Sequence, residues 1–315
     1  MVAQILRQPV TMGWGQKVPR KMQTTSAIFD RYHEIRQRLP QTSTQDTVHD
    51  ISSLLDISET VSAFVFDAFG VLNVGKTLIP GADHRLNQLR ALGCYIRILT
   101  NAASYDRPGA VAKFQRLGLQ IEDGEIITSR DAALCALTPG LWGAIAAPED
   151  ALGDIQTPHL RLADADDAYQ AADGFLFLSS SGWTRARQNL LTASLLAHPR
   201  PVLIANADLA APRDDEFSLE PGYFGHLLVD AGVPNIRFFG KPVAEVYDLA
   251  AQSLPDTPPG RIAMCGYTLH TDILGASAKG WQTVLVAQDG LFAGHDTQDY
   301  CQRAGLFPNW RLNRI

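Results

Sequence analysis

Short apolar runs that end on a polar residue, each followed by an amphipathic segment of helix length, recur along most of this chain. The clearest is Ala63-Phe64-Val65-Phe66, which carries Asp67 at its C-terminal end and breaks at Gly70. Beyond it the pattern predicts helices over 82–92 and 107–117 and a strand over 95–99. Gly93 and Gly118 fall just past the two helices, where a left-handed cap is cheap. Pro80-Gly81 closes a small excursion, 73–79, above the same edge. A strand at 125–129 and a helix to about 137 follow, and Thr138-Pro139-Gly140 then breaks the chain. A second series predicts strands at 141–146, 174–178 and 201–205 and the longest helix at 184–197. The first pattern resumes with a helix at 221–232, a strand at 236–239 and a helix at 242–253 opened by Pro242. A strand at 261–265, a helix at 271–279 and a last strand at 282–286 complete it.

Such alternation predicts βαβ units and a parallel sheet. The expected fold class is α/β: a Rossmann-like, doubly wound core interrupted by an inserted α/β cap. The expected division is 61–137 plus 216–315 for the core, 138–215 for the cap and 1–60 for an N-terminal tail and helical extension. In that extension a helix over 27–39 places Ile28, Tyr32 and Ile35 on one face, and a second short helix is expected at 48–55. The first 22 residues hold Arg7, Lys17, Arg20 and Lys21 but no acid and no apolar run, and read as a tail rather than a leader.

Composition narrows the function classes. With a hydrophobic fraction of 46% and a net charge of -6, the 315 residues can bury a sizeable core but offer no basic footprint for nucleic acid or an anionic membrane. No apolar run is long enough to cross a bilayer. Cys94, Cys135, Cys265 and Cys301 are scattered, with no zinc-like spacing, which suits reduced thiols in a cytoplasmic protein. Asp164, Asp166, Asp167 and Asp173 read as a solvated acidic loop, because Ca²⁺ needs tighter ligand spacing. The expected partner is a small molecule, with a homodimer as the other candidate association.

Four polar groups follow apolar strands: Asp67, Thr100-Asn101, Lys241 within Gly240-Lys241-Pro242, and Asp272 at the end of the 266–272 stretch. A carboxylate nucleophile, a hydroxyl and an amide for an oxyanion, a lysine for developing charge and an acid to place the lysine or a metal make a site for displacement through an aspartyl intermediate. Each also has a structural reading: Thr100 as a cap, Lys241 as a surface lysine, Asp272 as a first-turn acid.

These motifs resemble the haloacid dehalogenase superfamily of hydrolases. Asp67-Ala68-Phe69-Gly70-Val71 resembles its first motif, Leu99-Thr100-Asn101 the second, Gly240-Lys241-Pro242 the third and Cys265-Gly266-Tyr267-Thr268-Leu269-His270-Thr271-Asp272-Ile273 the fourth. The inserted cap, with Ile204-Ala205-Asn206-Ala207-Asp208, resembles the class IIA branch of sugar-phosphate, nitrophenylphosphate and pyridoxal-phosphate phosphatases. The resemblance implies that Asp67 attacks, Thr100 and Asn101 bind the transferring group, Lys241 stabilises charge, and Asp67, the Phe69 backbone carbonyl and Asp272 hold Mg²⁺. It implies substrate contacts from Phe69, Gly70, Asn101, Lys241 and, on the cap, Trp183, which either stacks on a planar substrate or anchors its helix.

Two positions depart from the pattern. Phe69 stands where these phosphatases have the aspartate that serves as general acid and base, and Tyr267 where they have a metal carboxylate. A positioned acid is worth roughly 10² to 10⁴ in rate. His270 is a candidate substitute. Phe69, Lys241 with Tyr247, and a motif retaining only Asp272 also resemble metal-independent 2-haloacid dehalogenases, although Val71 replaces their threonine. Three readings stand: a phosphate-type hydrolase, a metal-independent hydrolase, and a binding protein without turnover.

Overall fold

The computed structural model describes residues 24–163, 166–213 and 217–315. The basic N-terminal tail and Asp164 lie outside them. The first sheet has seven strands, and at its centre Ala63–Phe66 lies between Ile262–Gly266 and Tyr95–Thr100, all parallel. Ile126–Thr128 extends one side, and Gln282–Val286, Trp310–Leu312 and His49–Asp50 extend the other. Every residue of Ala63–Phe66 is buried, as expected of a central parallel strand covered on both faces.

A second sheet of five parallel strands contains Trp142–Ile145, His159–Arg161, Gly174–Phe177 and Val202–Ile204. Its fifth member, Ile236–Phe238, pairs with Val202–Ile204, whereas the sequence placed it in the core series. The strands of the inserted unit therefore run past the expected boundary at 215. The reason is physical: a short apolar strand followed by Gly-Lys-Pro reads the same in either sheet, and only pairing decides.

Other expectations shift locally. His49–Asp50 pairs as an edge strand where a helix was expected, with a turn of helix only at Leu54–Ile57. The helix expected from 242 begins at Ala244, leaving Pro242 in the preceding turn. Part of the acidic loop is helical, Asp166–Ala171. The helix expected at 271–279 is a wide turn, Leu269–Ile273, followed by Leu274–Ala278. Its geometry follows from Asp272, whose Oδ2 accepts from the backbone N–H groups of Tyr267 (3.1 Å) and Thr268 (3.0 Å) and from Thr268 Oγ1 (2.9 Å).

The Thr25–Glu34 helix buries Ile28, Phe29 and Tyr32 and locks together both halves of the chain. Tyr32 stacks on His270 with ring centroids 5.1 Å apart, and its hydroxyl accepts from the Leu209 N–H at 3.1 Å. Phe29 meets the same histidine edge-on at 5.2 Å. Arg38 pairs with Asp230 at 2.6 Å, and its guanidinium also donates toward His226 Nδ1 at 3.4 Å. Burial brings the pKa of His226 and His270 down to about 3, with Arg38 and Arg31 adding at the first and Arg36 at the second.

A histidine held neutral in the fold but free to charge when unfolded makes stability fall with pH below about 6.5 and continue falling toward the native value. Each contributes about 1.4 kcal/mol by one unit below 6.5. Urea midpoints should therefore drop between pH 7.5 and 5.5, and a double His226→Gln, His270→Gln variant should show a flatter profile. Equal midpoints for the wild-type chain at the two pH values would contradict this.

Candidate functional site

Three chain segments converge beyond the C-terminal ends of the central strands. The buried Lys241 Nζ lies 2.7 Å from Asp67 Oδ1 and 2.8 Å from Asp272 Oδ1. The lysine reaches them from the crossover that leaves the second sheet, rather than from a strand end of the first. Burial lowers its pKa, but Asp272 and Asp67 outweigh that and raise it, so it stays charged. Asp67 Oδ1 also accepts from the Ala68 N–H at 2.7 Å. Burial pushes the Asp67 pKa up and Asp272 adds to this, while Lys241 opposes.

Thr100 and Asn101 stand beside this cluster. Thr100 Oγ1 accepts from the Ala102 N–H at 3.1 Å. Asn101 works as a clip: Oδ1 accepts from the Lys241 N–H at 2.7 Å, and Nδ2 donates to the Lys241 carbonyl and to Asp208 Oδ1, both at 2.9 Å. Burial, aided by Asp67 and Asp272, raises the Asp208 pKa well above the usual carboxylate range. Lys241 opposes this rise.

A cleft of about 2070 Å³ opens over Asp67 and is lined on its floor by Phe69, Thr100, Asn101, Asp208 and Tyr267. Its volume exceeds that of a typical small-ligand pocket. Trp183 lines its cap side; its indole N–H donates to Gln188 Oε1 at 2.8 Å and its ring packs on Phe177, which leaves the ring rather than the N–H for a ligand. Gly70 does not line the cleft. With φ of +69° and any Cβ only 2.9 Å from the Gly290 Cα and the Tyr267 ring, it makes a turn against Tyr267 rather than a substrate contact. His270 also lies away from the cleft, held neutral between aromatic rings, and is no substitute acid.

Two cations missed in the sequence reading flank the Phe69 ring. Lys113 Nζ lies 4.2 Å from its centroid and the Arg213 guanidinium carbon 5.2 Å. Burial, with Arg213 adding and Asp67 opposing, brings the Lys113 pKa down to about 8. Lys113 sits on a helix, Arg107–Arg116, that reads as ordinary amphipathic surface, so only its pairing with Phe69 in three dimensions reveals it.

Residues 64–139 match the family of haloacid dehalogenase-like hydrolases, and residues 238–307 match a second family of the same kind, described as HAD-hydrolase-like. The two segments contain Asp67, Thr100 and Asn101, and Lys241 and Asp272, respectively. Both matches are to haloacid dehalogenase-like hydrolases. It is 28% identical over 286 residues to glycerol-3-phosphate phosphatase of Gallus gallus, covering 81% of this chain and 90% of that one. In fold it is similar to a possible sugar phosphatase of Cytophaga hutchinsonii (TM-score 0.73, 23% identity, 84% of this chain and 98% of that one). It is also similar to the p-nitrophenyl phosphatase of Archaeoglobus fulgidus (TM-score 0.64, 20% identity, 81% and 96%).

For a haloacid dehalogenase-like hydrolase the donor set at this edge does not fit a divalent cation. Asp272 is fully buried, with Oδ1 on Lys241 and Oδ2 taking three donors. Tyr267 offers a phenol in place of a carboxylate, and a cation competing for Asp67 would stand next to the Lys241 ammonium. Among the described residues no group of three His, Cys, Asp or Glu side chains could hold a metal. No helix of the described residues is long and apolar enough to cross a membrane.

Proposed function

We propose that this chain hydrolyses small phosphate monoesters through Asp67, with the Lys241 ammonium supplying the positive charge at the nucleophile. The observation that carries this reading is the bridge from Lys241 to both Asp67 (2.7 Å) and Asp272 (2.8 Å). Asp272, fixed by the Tyr267 and Thr268 N–H groups, holds the lysine. The lysine holds Asp67 in its ionised form at the cleft floor.

Asp67 attacks phosphorus, the P–O bond to the alcohol breaks, and the aspartyl phosphate is then opened by water. Thr100 lines the cleft where the transferring oxygens gather charge, and the Lys241 ammonium, buried against Asp67, supplies positive charge from below. Phe69 can neither protonate the departing oxygen nor activate water, so leaving groups that depart without a proton are favoured. The names of the relatives, a glycerol-3-phosphate and a p-nitrophenyl phosphatase, support the choice of phosphate monoesters. Hydrolysis of p-nitrophenyl phosphate that persists in EDTA and is lost in Asp67→Asn is the expected result; turnover strictly dependent on Mg²⁺ would overturn the lysine's role. Carbon–halogen displacement is the second reading, favoured by the same bridge from Lys241 to Asp67 and Asp272, and predicts halide release from 2-haloacids.

A further inference from the structure

We propose that Lys113 and Arg213, set against the ring of Phe69, bind a second anion on the leaving group, so that the preferred substrate is a phosphate monoester whose alcohol carries a carboxylate or another phosphate. This rests on the hydrolase reading only for which end of the ligand reaches Asp67.

Lys113 is half-buried, and among the described residues its ammonium has no ion pair or hydrogen bond. Its ammonium contacts two aromatic rings, Phe69 at 4.2 Å and Phe114 at 5.2 Å. Cation–π contacts of this kind offset only part of the cost of removing an ammonium from water. Arg213 adds a like charge on the same ring and is fixed there from behind, by Glu220 at 3.0 Å and by Ser218 Oγ at 2.9 Å. Glu220 accounts for one positive charge of the two. Among the described residues the other has no ion pair, only the longer-range attraction of Asp67, and both Lys113 and Arg213 line the cleft together with Asp67 and Phe69. An anionic group placed there would relieve the repulsion and gain a charge-assisted hydrogen bond from Lys113.

The position decides which part of a substrate this is. In the hydrolase reading the transferring phosphoryl group meets Asp67 and Thr100, which line the cleft, while Lys241 is buried against Asp67. Phe69 lies two residues past Asp67, on the position that the family resemblance associates with leaving-group protonation. Charges mounted on its ring therefore meet the alcohol portion. Lowered proton affinity at Lys113 agrees with a cation that lacks its anion.

The test compares 3-phosphoglycerate, fructose 1,6-bisphosphate and glycerol 3-phosphate on the full chain, as KM where the ester is turned over and as calorimetric Kd where it is not. The carboxylate ester or the bisphosphate should bind about tenfold or more tighter than glycerol 3-phosphate, and which of the two wins identifies the anion. In Lys113→Met the preference should collapse to within about threefold, and Lys113→Arg should restore most of it. Turnover without charge preference, or a preference unchanged in Lys113→Met, overturns the inference and leaves the hydrolase reading standing. Charge-selective binding without turnover supports the inference and removes the hydrolase reading.

Discussion

Phe69→Asp is expected to raise the turnover of alkyl phosphates by roughly 10²-fold or more, the usual worth of a positioned acid and base. The site is prepared for the change. The new carboxylate would stand between Lys113 and Arg213, whose charges now meet on the Phe69 ring, and Phe69 is only half-buried at the cleft floor, so little core packing is lost. The gain should be larger for alkyl than for p-nitrophenyl esters, because p-nitrophenolate departs without a proton. Steady-state rates on the two ester classes check this; equal rates for wild type and variant on both would mean that proton transfer at position 69 does not limit the reaction.

Lys241→Met is expected to cost about 3–5 kcal/mol of stability, the penalty for leaving a buried charge without its partner. Asp67 and Asp272 would then face each other in a nearly dry site with no cation between them. Combining Lys241→Met with Asp272→Asn removes one of the two charges and should recover part of the loss. Urea unfolding of the single and double variants measures both effects, and a single variant as stable as wild type would show that the bridge carries no structural load.

Asp67, Thr100, Lys241 and Asp272 were legible in the sequence because each follows an apolar run whose period identifies a strand, or a turn just past one. Whether Lys241 enters from the first or the second sheet was not legible, since Ile236–Phe238 has the same local pattern in either. His49–Asp50 was missed because a two-residue edge strand with both residues exposed has no periodicity to detect. The contact of Tyr32 with His270, which makes that histidine structural, joins opposite ends of the chain and leaves no local signal. Lys113 and Arg213 are hidden for the same reason: a lysine on an amphipathic helix and an arginine after a short strand look solvated until the fold sets both on one ring. Asp208 was visible as part of a motif, but its raised pKa comes from burial, with Asp67 and Asp272 adding and Lys241 opposing.

That Asp67 is a nucleophile served by Lys241 is tested most directly by p-nitrophenyl phosphate hydrolysis with the wild-type chain and Asp67→Asn, each assayed in EDTA and in Mg²⁺. The account predicts wild-type turnover of similar size in both buffers, declining on acidification from above the ordinary carboxylate range because Asp67 must be ionised, and none above background in Asp67→Asn. Equal rates for the two proteins would contradict it.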